Sequence, residues 1–458
     1  MRSAIRNPAP LRDATRILRL AAPLLVNNVA TVGMVLTDTV MAGRLGAEEL
    51  AAVAVGASYV MYFHLCGLGF LMALSPTVAH AYGAGRNGHV GCFFRQALWL
   101  ALLLSVVGVA GLAVAQPVLL AIGIPPQVAR HAASYAHAIA FGLPPLFAFL
   151  ALRFSSEGIG WTRPIMFTAL IALAVKVLGN YLLVYGHLGL PALGAVGCGV
   201  ATAIVDWLIF AVLFVHVRRH RRYAPFRPLA RFEWPQAARL REILVLALPI
   251  SGSVLAEGAL FSSAALIMGT FGATVMAAHA IAINYASLMF MVPLSLHSAT
   301  TIHVGHELGR GNPAAARAIG WTGIGMCAVV MSISALVLLV ARGMIAGLYT
   351  HDAAVLGLAT QLLLYAAIFQ VADGLQVGAA GALRGFKDAR VPMYLNLFAY
   401  WAVAFPLAWY FGVVRALGPA AVWSGLIVGL FACAALLSLR YGLVTARAMR
   451  ARDATVRV

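Results

Sequence analysis

Long apolar runs, separated by short clusters of charge, glycine and proline, recur from one end of the chain to the other. Each is long enough to cross a hydrocarbon core of about 30 Å at about 1.5 Å per helical residue. Twelve such runs fall near 17–43, 47–82, 92–116, 128–156, 165–186, 194–217, 241–269, 275–308, 318–341, 354–384, 393–412 and 418–446. Strands of a membrane barrel would alternate in polarity over segments of about ten residues, whereas these runs are continuously apolar. The pattern predicts an all-α polytopic membrane protein with twelve transmembrane helices.

The chain repeats itself at a shift of 226 residues. Pro23 matches Pro249, Gly43 matches Gly269, Gly46 matches Gly272 and Tyr59 matches Tyr285, and the register persists through His80/His306 to Gly85/Gly311. Each half holds six spans, so both enter the membrane from the same side. Two parallel six-helix repeats, related by a pseudo-twofold axis along the membrane normal, are the expected result. The expected domains are an N-lobe at 1–217, a basic cytoplasmic linker at 218–240 and a C-lobe at 241–458. Rocking of two such lobes about a central site is the mechanics of a secondary transporter.

Composition removes the soluble alternative: 62% of the 458 residues are apolar and only 10% are charged. The net charge of +18 would suggest a nucleic-acid partner until the charges are placed on the spans. With the N-terminus inside, inner segments hold 27 of the 32 Lys and Arg residues. Among them is the block Arg218, Arg219, Arg221, Arg222, Arg227, Arg231, Arg239 and Arg241. Outer loops hold Arg44, Arg130, Arg342 and Arg415, and Lys176 lies within a span. That imbalance puts both termini in the cytoplasm of an inner-membrane protein. The lipid bilayer is then the partner of the basic face, and no nucleic acid is expected. The first 19 residues carry five arginines ahead of the apolar stretch, in the manner of a signal peptide. The run contains Asp38 and offers no small-residue cleavage site before Gly43, so it is expected to be retained as a helix. Cys66, Cys92, Cys198, Cys327 and Cys433 lie far apart without metal or CxxC spacing and read as packing residues.

A charge at a helix centre costs about 2.5–3.5 kcal/mol on insertion scales, so Asp38, Lys176, Asp206, Glu257 and Asp373 stand out. Spans 5 and 6 form a hairpin turning near Pro191, with Asn180 and Thr202 about eleven residues from the turn and Lys176 and Asp206 about fifteen. Both pairs lie at matched depths, and Asp38 lies near the depth of Asn180 and Thr202. Asp38, Asn180 and Thr202 could therefore hold a hard cation or a proton, the alternative being interhelical hydrogen bonding for packing. The depth match predicts an ion pair between Lys176 and Asp206, whose fixed cation would disfavour Na⁺ at Asp38. In the second half, Glu257 and Asp373 form an acid couple able to exchange a proton or bind a cation.

His297, His303 and His306 cluster beside Glu307, but Arg310 stands where a zinc-protease motif needs its second histidine, and a structural role is expected. The spacings Gly194–Cys198 and Gly381–Gly385 suggest close helix packing. The cluster Met289, Phe290 and Met291 reads as core or lipid contact. No nucleophile–base or metal constellation is present, so an enzyme is not expected, and neither is a cofactor.

The stretch Thr37-Asp38-Thr39-Val40-Met41-Ala42-Gly43 resembles the first-helix signature of multidrug and toxic compound extrusion (MATE) transporters. The stretch DGLQVGAAGALRGFKDARVPM, from Asp373 to Met393, resembles the tenth-helix signature of the NorM branch. The resemblance covers essentially the whole chain and implies antiport of cationic or aromatic drugs against Na⁺ or H⁺; the protein is expected to be a monomer. It assigns Asp38, Asn180 and Thr202 to an N-lobe cation or proton site, and Glu257 and Asp373 to a C-lobe site. Phe369 stands where some members have Tyr, leaving a ring face without a hydroxyl. His351-Asp352 stands where some have two acids. A lipid-linked oligosaccharide flippase of the same superfamily is the competing expectation, and a channel a further one.

Overall fold

The computed structural model describes residues 9–189, 191–230 and 232–456. Leu190 and Arg231, the latter part of the basic block, lie outside them, as do Arg2 and Arg6. Sixteen α-helices follow in order among the described residues: α1 Ala9–Gly43, α2 Ala47–Met72, α3 Leu74–Gly83, α4 Asn87–Ala113, α5 Ala115–Ala121, α6 Pro126–Ala140, α7 Leu143–Gly158 and α8 Arg163–Tyr185. Then come α9 Gly194–Arg219, α10 Ala237–Gly269, α11 Ala273–Gly309, α12 Pro313–Gly347, α13 Ala353–Gly385, α14 Arg390–Leu397, α15 Phe405–Trp409 and α16 Pro419–Val456. Two π-helical stretches, Phe398–Ala404 and Tyr410–Val414, continue α14 and α15 into one span.

Eleven helices among the described residues are long and apolar enough to cross a membrane, and the bent pair α6–α7 makes a twelfth span. This is the expected all-α polytopic architecture. The fourth span, predicted as one run at 128–156, is bent by 49° between Ala140 and Leu143. Pro144 and Pro145 in the first turn of α7 supply no N–H to continue the α6 hydrogen bonds, so the helix restarts there.

The chain packs as two compact units. One comprises residues 26–251, the other residues up to 25 together with 252–458. The two breaks differ by 226, the repeat shift, and each falls two residues beyond a proline within a long helix, Pro23 in α1 and Pro249 in α10. The opening of α1 therefore groups with the second repeat, and the opening of α10 with the first.

Within the 26–251 unit, the segment expected as a linker is fastened to α4. Arg95 Nη2 donates to Glu233 Oε1 at 2.9 Å, and Nη1 donates to the carbonyls of Arg227 and Pro228. Trp99 Nε1 donates to the Glu233 carbonyl at 2.8 Å, while Gln96 exchanges hydrogen bonds with the backbone of Trp234 and Gln236. In the other unit, α13 packs on α11 through Gly381 and Gly385. A Cβ at either would come within 3.0 Å of a backbone oxygen, of His297 and Thr301 respectively. Small residues at a four-residue spacing permit that approach, as the sequence suggested. Trp423, Tyr400 and Tyr441 are fully buried in its core.

Candidate functional site

In the 26–251 unit three helices converge on one carboxylate. Asp38 sits near the end of α1, Lys176 and Asn180 lie one turn apart on α8, and Cys198, Thr202 and Asp206 follow at four-residue steps on α9. Asn180 Nδ2 donates to Asp38 Oδ1 at 2.7 Å, and Lys176 Nζ approaches the same oxygen at 2.8 Å. The ammonium also donates to the Cys198 carbonyl at 3.1 Å and to Thr202 Oγ1. The lysine side chain is 3% exposed and Asp38 14% exposed, so this ion pair is largely dry.

The expected partnership of Lys176 with Asp206 is corrected by this geometry: the partner of Lys176 is Asp38. The hairpin arithmetic matched Cα depths, but a lysine stem carries its charge about one helical turn, roughly 5.4 Å, from its own backbone. At that distance the ammonium meets three oxygens, those of Asp38, Cys198 and Thr202. Asp206 instead faces the restart of the fourth span, where a Cβ on Gly142 would lie 2.8 Å from Oδ2. Oδ2 has no hydrogen-bond partner among the described residues. A carboxylate beside the first turn of α7 gains from the positive end of the helix dipole.

Sequence reasoning missed a second charged cluster in this unit. Arg153 Nε donates to the buried Glu157 at 2.8 Å, and Nη2 reaches Asn28 Oδ1 at 3.5 Å. With its amide turned, Asn27 also accepts from Arg153 at 3.2 Å. The i, i+4 spacing of Arg153 and Glu157 was the available signal, obscured because both fall at the end of a span.

In the other unit, Glu257 on α10 accepts from Gln376 Nε2 on α13 at 3.4 Å, and the same nitrogen donates to Tyr400 Oη. Asp373 lies one turn before Gln376, is buried, and feels the charge of Glu257. Its Oδ1 has no hydrogen-bond partner among the described residues. Phe369, one turn earlier, packs edge-on against Phe261 and Trp423 with centroids at 5.9 and 5.7 Å. Gln376 and Tyr400 were not anticipated, since an uncharged Gln and a Tyr draw little notice in an apolar run. Arg384 is partly buried and approaches His297 Nε2 at 3.2 Å, while His297 Nδ1 donates to the Val377 carbonyl at 2.8 Å.

That bond ties α11 to α13 and gives His297 the expected structural role. Among the described residues no group of three or more His, Cys, Asp or Glu is placed to hold a metal. Asp352 caps α13, accepting from the N–H groups of Ala354 and Val355 at 2.9 and 3.2 Å.

The MatE family model matches the chain twice, over residues 23–182 and 249–410, and the two starts are again 226 apart. The probable multidrug resistance protein NorM of Xanthomonas axonopodis pv. citri is 42% identical over 422 residues, covering 92% of each chain. The multidrug resistance protein PmpM of Pseudomonas aeruginosa is 38% identical over 448 residues, covering 96% of this chain and 94% of that one. The crystal structure of the eukaryotic MATE transporter AtDTX14 superposes with a TM-score of 0.88 at 20% identity, over 97% of this chain and 99% of that one, a likeness of fold. With both repeats matched and these relatives covered nearly end to end, the chain belongs to the MatE family.

Proposed function

We propose that this protein is a secondary active multidrug efflux transporter. It exchanges cationic or aromatic organic compounds for Na⁺ or H⁺ by alternating access, as a monomer in a bacterial inner membrane with both termini cytoplasmic. The observation that carries this reading is the presence of a partly or fully buried carboxylate cluster in each repeat, around Asp38 and around Glu257 and Asp373, within helices otherwise built of apolar residues. Carboxylates in such surroundings are costly to the fold, and a cycle of cation binding and release gives them a use. The names carried by the NorM and PmpM relatives support drugs as the cargo.

The flippase reading loses support because its pyrophosphate needs an uncommitted cation. Lys176 is committed to Asp38 and Arg153 to Glu157. The test is efflux of a fluorescent organic cation from proteoliposomes under imposed pH and Na⁺ gradients. Uphill movement under either gradient, abolished by Asp38→Asn or Asp373→Asn, is the expected result. Flux that follows only the dye's own gradient and never saturates would make the protein a channel.

A further inference from the structure

The contacts of Lys176 have the form of a filled ion site. An ammonium has three N–H donors, and here three oxygens take them: the Asp38 carboxylate, the Cys198 carbonyl and the Thr202 hydroxyl. A carboxylate, a carbonyl and a hydroxyl are also the oxygen ligands that a hard cation selects. The site around Asp38 thus holds a cation already, one attached to the chain by its own side chain.

The other groups facing the cluster do not alter this balance. From α9 comes Asp206, acting on Lys176 through space but not bonded to it, and the Cys198 thiol. From α6 comes the phenol of Tyr135, within electrostatic reach of Asp38, and from α8 the neutral amide of Asn180. From α2 comes Glu49, which accepts from the Ala195 N–H at the start of α9 at 2.7 Å and faces His131 at 3.8 Å. None of these is a second cation able to stand in for Lys176.

We propose that Lys176 is the resident cation of this oxygen cage and the residue that decides ion selectivity: it excludes Na⁺ from Asp38 and leaves a proton as the exchangeable ion. The inference rests on the transport reading above and narrows it. A Na⁺ at Asp38 would have to share one carboxylate with a fixed ammonium in a dry setting, where like charges repel strongly. A proton needs no coordination shell. Its binding to the carboxylate turns the Lys176⁺–Asp38⁻ pair into a neutral acid beside an ammonium, and its departure restores the pair.

The decisive measurement is binding of radioactive Na⁺ to the purified full-length protein, which does not depend on transport. Wild type is expected to show no Na⁺ binding that Asp38→Asn removes, and Lys176→Met is expected to gain a site that the added Asp38→Asn abolishes. Lys176→Arg, which keeps the charge, should stay blind to Na⁺. If Lys176→Met does not fold, Lys176→Gln retains a polar group and serves in its place. Asp38-dependent Na⁺ binding by wild type, or a folded Lys176→Met or Lys176→Gln with no gain, would overturn the proposal. In proteoliposomes, a pH gradient alone should drive efflux. Drive by Na⁺ alone would sink the inference while leaving the transport reading standing. Absence of drive by either gradient would sink the transport reading, and the Na⁺ binding result would still decide the role of Lys176.

Discussion

Gly142 stands so close to Asp206 that a methyl group on the glycine would meet Oδ2 at 2.8 Å and the Cα of Ala203 at 2.7 Å. The break in the fourth span and the buried acid of the sixth therefore fit one another, and neither is a free-standing feature. Gly142→Ala should destabilise the protein by about 1–3 kcal/mol, the usual range for overpacking. A lowered melting temperature in detergent would show it. Asp206→Ala should relieve the clash only in part, because Ala203 contributes backbone. Full recovery in the double variant would mean that the carboxylate alone sets the spacing.

Breaking a buried ion pair from one side leaves a lone charge and typically costs about 3–5 kcal/mol, whereas removing both partners costs much less. Lys176→Met and Asp38→Asn should therefore each reduce folded protein, and the double variant should recover much of the loss. Lys176→Met combined with Asp206→Leu should show little such rescue. Strong coupling in the second cycle and none in the first would return Asp206 to the role of partner.

Gln376 joins Glu257 to Tyr400 with one amide nitrogen. Gln376→Leu removes both hydrogen bonds, and one made to a charged group is worth about 1.5–3 kcal/mol. Efflux of a fluorescent cation by the folded variant should fall by about tenfold or more. Tyr400→Phe, which keeps the ring and the bond to Glu257, should fall less. Equal losses in the two variants would place the importance in the Tyr400 hydroxyl instead.

The sequence was most informative where long-range order is written in length and repetition. Twelve spans and the 226-residue shift follow from apolar run length and from matched glycines and prolines, and the double MatE match bears the repeat out. The residues around Asp38 were legible because charge in an apolar helix is conspicuous and a short hairpin fixes relative depth. The partner of Lys176 was not, because depth arithmetic places Cα atoms while a lysine delivers its charge a turn away. Gln376 and Tyr400 stayed hidden for a different reason: their importance comes from facing Glu257, on a helix more than a hundred residues distant in the chain. The fastening of the segment before α10 was equally invisible, since a run rich in arginine and proline reads as a solvated linker.

That fastening makes the last prediction. Arg95 draws together Glu233 and the carbonyls of Arg227 and Pro228, Gln96 bonds the backbone of Trp234 and Gln236, and Trp99 holds the Glu233 carbonyl, so three residues of α4 anchor the stretch leading to α10. Tyr223 fixes its other end by donating to Ser156 Oγ at 2.9 Å. Arg221 and Arg222 are already exposed, so Arg95→Ala should act by loosening the backbone around them, raising the rate of trypsin cleavage at those bonds several-fold over wild type. Tyr223→Phe should act in the same direction but more weakly, losing one neutral hydrogen bond worth about 0.5–1.5 kcal/mol. Burial pushes the Tyr223 phenol up to about 12, above its ordinary value near 10. The phenol's raised value means its contribution is complete below the ordinary tyrosine range and is lost as the pH climbs towards 12. Protection from a protease active in alkali should therefore hold through mildly alkaline conditions and fail only near that upper limit. Cleavage of Arg95→Ala at the wild-type rate would show that the segment is held by its aromatic contacts, where Trp99 stacks on Trp234 at 6.2 Å, and not by the arginine.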